Sequence, residues 1–184
     1  MKNLLVVFLA FIFTASLFAQ SPIGKGTYTL GGSISYSFQT FDDSGSDQTV
    51  FKFNPEAGYF FIDNFYVALS FTYAHYSYGN SKSDQYGIGP TARYYFDADQ
   101  LKPFLGVGYN YYRLTFGSSS NKISSSELKL IGGVDYFITE NFALEANMNY
   151  SFINYNYPDG YYYYSYVRKS KMFQVGVGVN YFIY

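Results

Sequence analysis

The chain has one histidine and no cysteine, so its means for covalent chemistry are few. His75 stands two residues before Ser77 in Ala74-His75-Tyr76-Ser77. Residues two apart on a strand share a face, which sets an imidazole beside a hydroxyl. Such a pair can carry nucleophilic catalysis, with Ser77 as nucleophile and His75 as general base. Triad logic asks for a third group to orient the imidazole. No glutamate stands near, and Asp84, across the next loop, is a poor substitute in the sequence. The competing reading of His75 is a rim histidine beside a loop.

A second set of candidates is ionisable: Lys52, Glu56, Arg93, Lys129, Asp135 and Glu145. Three are cations and three anions, which suits either a self-neutralising salt-bridge core or a narrow path for ions. A third set is aromatic. Around the turn residues Pro158-Asp159-Gly160 lie Tyr155, Tyr157, Tyr161, Tyr162, Tyr163, Tyr164 and Tyr166, mixed with Asn and Ser. That mixture makes rigid, amphipathic contact surfaces, a candidate site for an extracellular glycan or protein. A ribbon held by cross-strand aromatic pairs is the plainer alternative. The sequence holds no metal-ligand cluster, no phosphate-cradling loop and no basic stripe for nucleic acid, and it implies no cofactor. The net charge of −1 gives no general pull towards polyanions.

The elements that must position these residues are strands. The last dozen residues alternate: Phe173, Val175, Val177, Val179, Tyr181 and Ile183 share one face, and Gln174, Gly176, Gly178 and Asn180 the other. A greasy strand at the end of a water-soluble chain would be an exposed, aggregation-prone edge. It is stable if it closes a barrel with lipid on its apolar face. Composition agrees: 24 Tyr and 20 Phe make up 24% of the chain, and charged residues only 14%.

A weak internal repeat, small-or-polar then Tyr then aromatic, precedes each turn: Gly58-Tyr59-Phe60, Arg93-Tyr94-Tyr95, Asp135-Tyr136-Phe137 and Asn180-Tyr181-Phe182. The units recur roughly every 40 residues, as repeated hairpins do. Short turns at 61–65, 97–102 and 137–142 alternate with longer polar loops at 39–49, 78–84, 117–126 and 155–171. Four hairpins predict eight strands: 27–38, 50–61, 65–77, 85–96, 104–115, 127–137, 142–154 and 173–184. The fold class is therefore all-β: an eight-stranded, antiparallel, up-and-down transmembrane β-barrel, with short periplasmic turns, longer extracellular loops and both termini periplasmic. Pro55 and Pro90 fall mid-strand, where a local bulge is expected.

The six ionisable residues all lie on the face opposite the apolar one. A cation on the lipid side at mid-bilayer would cost about 2–4 kcal/mol. Depth along the strands puts Arg93, Asp135 and Glu145 in the periplasmic half and Lys52, Glu56 and Lys129 in the outer half. Residues 1–19, with Lys2, an apolar run from Leu4 to Phe13 and small residues before Ala19, have the form of a cleavable signal peptide. Leu17 is a mild departure at the third position before the cut. The barrel domain then spans residues 20–184.

The stretches Gly58–Leu69, Gly89–Phe96, Lys102–Tyr111 and Gly176–Tyr184 together resemble the outer-membrane β-barrel domain family of small OmpA- and OmpX-like barrels. The resemblance implies a Gram-negative outer-membrane location and a monomer surrounded by outer-membrane lipid. It also implies assembly by the barrel-assembly machinery, whose C-terminal signal Gly178, Tyr181 and Ile183 resemble, with Tyr184 one position beyond. No catalytic role follows from it. A structural or surface-interaction protein is the first reading, and a narrow, porin-like pore the second. The His75-x-Ser77 dipeptide is similar to the active-site pair of lipid A deacylase barrels. That resemblance implies a lipid A-modifying hydrolase as a third reading, but Tyr78 stands where that family has Asn.

Overall fold

The computed structural model describes residues 23–40, 47–78, 81–115, 122–156 and 169–184. Residues 1–19, expected to be a signal peptide, and residues 157–168 of the tyrosine-rich segment lie outside them. Eight strands follow in order: β1 (Tyr28–Thr40), β2 (Asp47–Ile62), β3 (Phe65–Tyr78), β4 (Ser81–Tyr95), β5 (Leu101–Thr115), β6 (Lys122–Phe137), β7 (Phe142–Asn156) and β8 (Lys169–Ile183). Each pairs antiparallel with its sequence neighbours, and β8 returns to β1 to close the barrel.

The register fixes the shape. A circuit of paired residues from Tyr28 runs through Tyr59, Val67, Ala92, Val107, Leu130 and Tyr150 to Phe173. Tyr28 itself pairs with Ile183, ten residues away from Phe173. That stagger tilts the strands by about 40° and leaves an interior just wide enough for side chains.

The prolines are accommodated without bulges. Pairing of β2 with β3 skips from Phe53–Tyr73 to Glu56–Ser70 and keeps its register; pairing of β4 with β5 skips likewise from Ile88–Tyr111 to Thr91–Gly108. Each proline deletes rungs on one side only, and pairs normally on the other, with Gly32 and with Leu69. The Gly89 carbonyl, next to Pro90, accepts a hydrogen bond from Ser70 Oγ at 3.1 Å. The bulge that does occur is at Phe60/Ile62, beside the first short turn.

The lipid face is apolar along its length, with Leu105 62% and Val177 60% exposed. Aromatic residues frame it. Tyr59 and Phe51, Tyr94 and Tyr86, and Tyr181 and Phe173 bracket β2, β4 and β8, eight residues apart in each. At that tilt the frame encloses about 20 Å, close to the apolar band of outer-membrane barrels.

Candidate functional site: the lumen and the outer rim

The repeated triplet builds the periplasmic end of the lumen. Its middle tyrosines, Tyr59, Tyr94, Tyr136 and Tyr181, sit on the outer wall. Its third residues, Phe60, Tyr95, Phe137 and Phe182, turn inward and are buried, at 0, 2, 0 and 1% exposed. They meet across the bore: Phe137 and Phe182 ring centroids lie 4.7 Å apart, Phe60 and Tyr95 5.5 Å, and Phe60 and Phe182 6.3 Å. Ile23, in the segment leading into β1, joins this aromatic floor.

The first residues of three triplets form a polar layer just above. Arg93 Nη1 donates to Glu145 Oε2 at 2.9 Å, and Nη2 lies 3.0 Å from Glu56 Oε1. Asn180 Nδ2 donates to Glu145 Oε2 at 2.9 Å and to Asp135 Oδ1 at 3.1 Å. Tyr95 OH donates to Asp135 Oδ2 at 3.0 Å, and Tyr66 OH to Glu56 Oε1 at 3.0 Å. The guanidinium also lies over Phe104, 4.8 Å from the ring centroid. The fourth triplet begins with Gly58, where a Cβ would stand 2.3 Å from the Tyr66 ring. Glycine is required for that close approach.

Glu56 therefore belongs to the periplasmic cluster with Arg93, not to the outer half with Lys52 and Lys129. The bend of Arg93 between two carboxylates is a contact that depth along single strands does not reveal. The outer half is looser. Lys52 Nζ donates to Gln174 Oε1 at 3.0 Å. Glu127 accepts a short hydrogen bond from Tyr112 and another from Asn110 Nδ2 at 3.3 Å. Among the described residues the ion pairs are His75–Asp84, Arg93–Glu56, Arg93–Glu145 and Lys102–Asp97, so neither Lys52 nor Lys129 has one. Both border an internal polar cavity of about 50 Å³, with Glu56, Glu127 and Glu145 opposite, room for a few waters. Among the described residues, three buried polar atoms, Thr91 Oγ1, Arg93 Nε and Ser151 Oγ, have no protein hydrogen-bond partner.

The inward set is larger than six. Glu127 (2% exposed) and Lys102 (4%) also face the lumen. Glu127 has the parity of Lys129, so alternation could have found it. Lys102 was obscured by its place at the start of β5, where a turn was expected. Arg113, at the outer end of β5, faces outward and is exposed. It belongs to a polar collar: His75, Asp84, Arg113, Asn154 and Lys171 each lie two residues beyond the outermost lipid-facing aromatic of their strand, Tyr73, Tyr86, Tyr111, Phe152 and Phe173. The collar sits at headgroup level, where charge is tolerated.

Within the collar, His75 and Asp84 are cross-strand partners. His75 Nδ1 lies 2.8 Å from Asp84 Oδ1, which also accepts from Tyr73 OH at 2.8 Å. Strands β3 and β4 stay paired as far as Tyr78 and Ser81, so Asp84 does reach the imidazole. Ser77 is half-buried on the same wall, and no described hydrogen bond joins it to His75.

Tyr155 lies within β7, paired with Ser125, and its OH accepts from Ser170 Oγ at 3.4 Å. Tyr157, Tyr161, Tyr162, Tyr163, Tyr164 and Tyr166 are outside the described residues. On β8, Tyr181 and Ile183 face lipid, 50% and 43% exposed. Gly178 faces inward against β1, where a Cβ would be 2.6 Å from the Gly32 carbonyl oxygen. Tyr184 OH donates to Glu140 Oε2 at 3.3 Å. No group of three or more His, Cys, Asp or Glu positioned for a metal occurs among the described residues.

Among known proteins, a Haemophilus influenzae protein described as uncharacterized is 28% identical over 180 residues, covering 86% of this chain and 94% of the relative. The crystal structure of Neisserial surface protein A (NspA) is similar with a TM-score of 0.59 and 22% identity, over 85% of this chain and 97% of that one. The outer membrane protein OprG of Pseudomonas aeruginosa gives 0.56 and 18%, over 91% and 100%. At these identities the solved structures speak for the fold. The sequence profile of the outer membrane protein beta-barrel domain matches residues 5–183, and with the closed eight-stranded barrel this establishes that the chain belongs to that family and resides in the outer membrane.

Proposed function

We propose that the barrel is a non-conducting, non-enzymatic scaffold that presents its outer loops, above all the tyrosine-rich segment between β7 and β8, to a surface glycan or protein. The observation that supports this most is the lumen itself. An aromatic floor lies beneath a doubly paired arginine, an arrangement that suits a packed plug better than a path for ions. Planar-bilayer recording of the purified barrel tests it. Silence is the expected result. Stable, ion-selective steps that disappear in Glu56→Ala or Arg93→Ala would replace the scaffold by a pore. For the loop, replacing Tyr157, Tyr161, Tyr162, Tyr163, Tyr164 and Tyr166 by Ser should abolish adhesion of expressing cells to an immobilised glycan array. Adhesion unchanged by those substitutions would remove the segment from the binding surface.

The same proposal holds residues 1–19 to be a cleaved leader, Gly178, Tyr181, Ile183 and Tyr184 to be the assembly signal, and the mature barrel to be a monomer. N-terminal sequencing of the outer-membrane form should begin near Gln20.

One observation favours a second reading. The 2.8 Å contact from Asp84 to His75 Nδ1 is how a carboxylate orients a catalytic imidazole, which leaves the other ring nitrogen for Ser77. In that reading the outer wall hydrolyses an acyl ester of lipid A. Mass spectrometry of lipid A from cells carrying the wild type, Ser77→Ala or Asp84→Asn decides it. Loss of an acyl chain only with Ser77 intact would support a hydrolase; identical lipid A in all three would dismiss it.

A further inference from the structure

The lipid-facing wall carries small side chains where the barrel closes. Gly32 on β1, Ala146 on β7 and Val177 and Val179 on β8 face outward there, and a groove of about 750 Å³ lies over them. A second depression of about 230 Å³ shares Ile34 and Val177 with it and continues towards the outer rim as far as Phe51 and Val175. The first volume is within the range of about 300–1,000 Å³ common to small-molecule sites.

Two other features meet at this seam. The ladder between β1 and β8 ends at Ser35–Gly176. Both strands continue, β1 to Thr40 paired with β2, and β8 to Lys169 paired with β7. Among the described residues no strand pairs with the seam side of β8 above Gly176, and backbone polar groups in a membrane need a partner. Immediately above Phe173, the next outward residues of β8 are Lys171 and Lys169, both exposed. Among the described side chains, none that faces outward on β7, β8 or β1 is acidic, so this wall offers the two ammonium groups no counter-ion.

We propose that the β1–β8 seam binds lipid A, the phosphorylated glycolipid of the outer leaflet, with an acyl chain in the groove and a phosphate at Lys169 and Lys171. Two ammonium groups spaced along one strand suit a phosphate. The headgroup's hydroxyl and amide groups also lie at the height where the seam backbone lacks rungs. A second copy of this chain is a poorer occupant, because a two-fold contact would set lysine against lysine.

The test is lipid A retained on the full barrel purified in mild detergent, measured by mass spectrometry after washing. Folding of each variant is checked by its gel shift between unheated and boiled samples. Lys169→Glu/Lys171→Glu should retain at least about tenfold less lipid A than the wild type. Val177→Phe, which fills the groove and leaves both lysines in place, should retain several-fold less. Arg113→Glu, a collar cation on the opposite wall, should retain as much as the wild type. Three results would each overturn the proposal: equal retention in the double lysine variant, an equal loss in Arg113→Glu, or displacement of lipid A by phosphatidylglycerol vesicles as effective as by lipid A. Cross-linking of two copies through residue 177 would assign the seam to a dimer instead.

Discussion

The two ends of the lumen are built on different principles. At the periplasmic end, each of four even-numbered strands contributes one aromatic to the floor, and three of them contribute Arg93, Asp135 and Asn180 to the layer above. That arrangement is dense, and Arg93 is held between two carboxylates. At the outer end nothing repeats. Lys52 leans on an amide, Lys129 makes no ion pair among the described residues, and a small polar cavity separates the two regions. Closure rests on the repeat, while the outer end carries the polar collar.

Substitutions can break or sharpen that contrast. The largest effect belongs to Arg93→Ala, which strands Glu56 and Glu145 in the interior. It should lower unfolding stability by about 3–5 kcal/mol, seen as an early midpoint in urea titrations of the reconstituted barrel. Phe182→Ala removes one quarter of the floor and should cost about 3 kcal/mol by the same titration. If it also opens measurable conductance, the floor is the seal. Gly58→Ala forces a methyl against the Tyr66 ring and should cost about 1–3 kcal/mol, with Tyr66 fluorescence altered. In the outer half, Lys129→Met should change stability by no more than about 1 kcal/mol, because no ion pair is lost. A cost equal to that of Arg93→Ala would erase the distinction between the two ends. Smallest of all, Asp84→Asn at the exposed collar should leave the urea midpoint within error, since exposed pairs contribute about 0–1 kcal/mol.

Much of the fold was legible because lipid and lumen impose opposite chemistry on alternate residues. Phe173 to Ile183 and Leu105 to Tyr111 therefore declare their faces on their own. The floor was half-legible: the triplet marked Phe60, Tyr95, Phe137 and Phe182 as recurring, and their inward parity follows from the tyrosine beside each. Their meeting across the bore depends on a diameter that only closure supplies. The union of Glu56 with Arg93, and of Asp84 with His75, was not legible. Each pair joins side chains from different strands, and register between strands leaves little mark on either strand alone.

The sequence by itself determined that there would be eight strands, which face of each would meet lipid, and that charge would be sequestered inside. These follow from local alternation and turn chemistry, which a single chain segment carries. Only the tertiary structure decided the ten-residue stagger, the partners of each buried charge, the accommodation of Pro55 and Pro90 by skipped rungs, and the unpaired upper seam between β1 and β8. Those depend on how the last strand meets the first. That meeting is set by the summed register of all eight strands, to which no one segment holds the key.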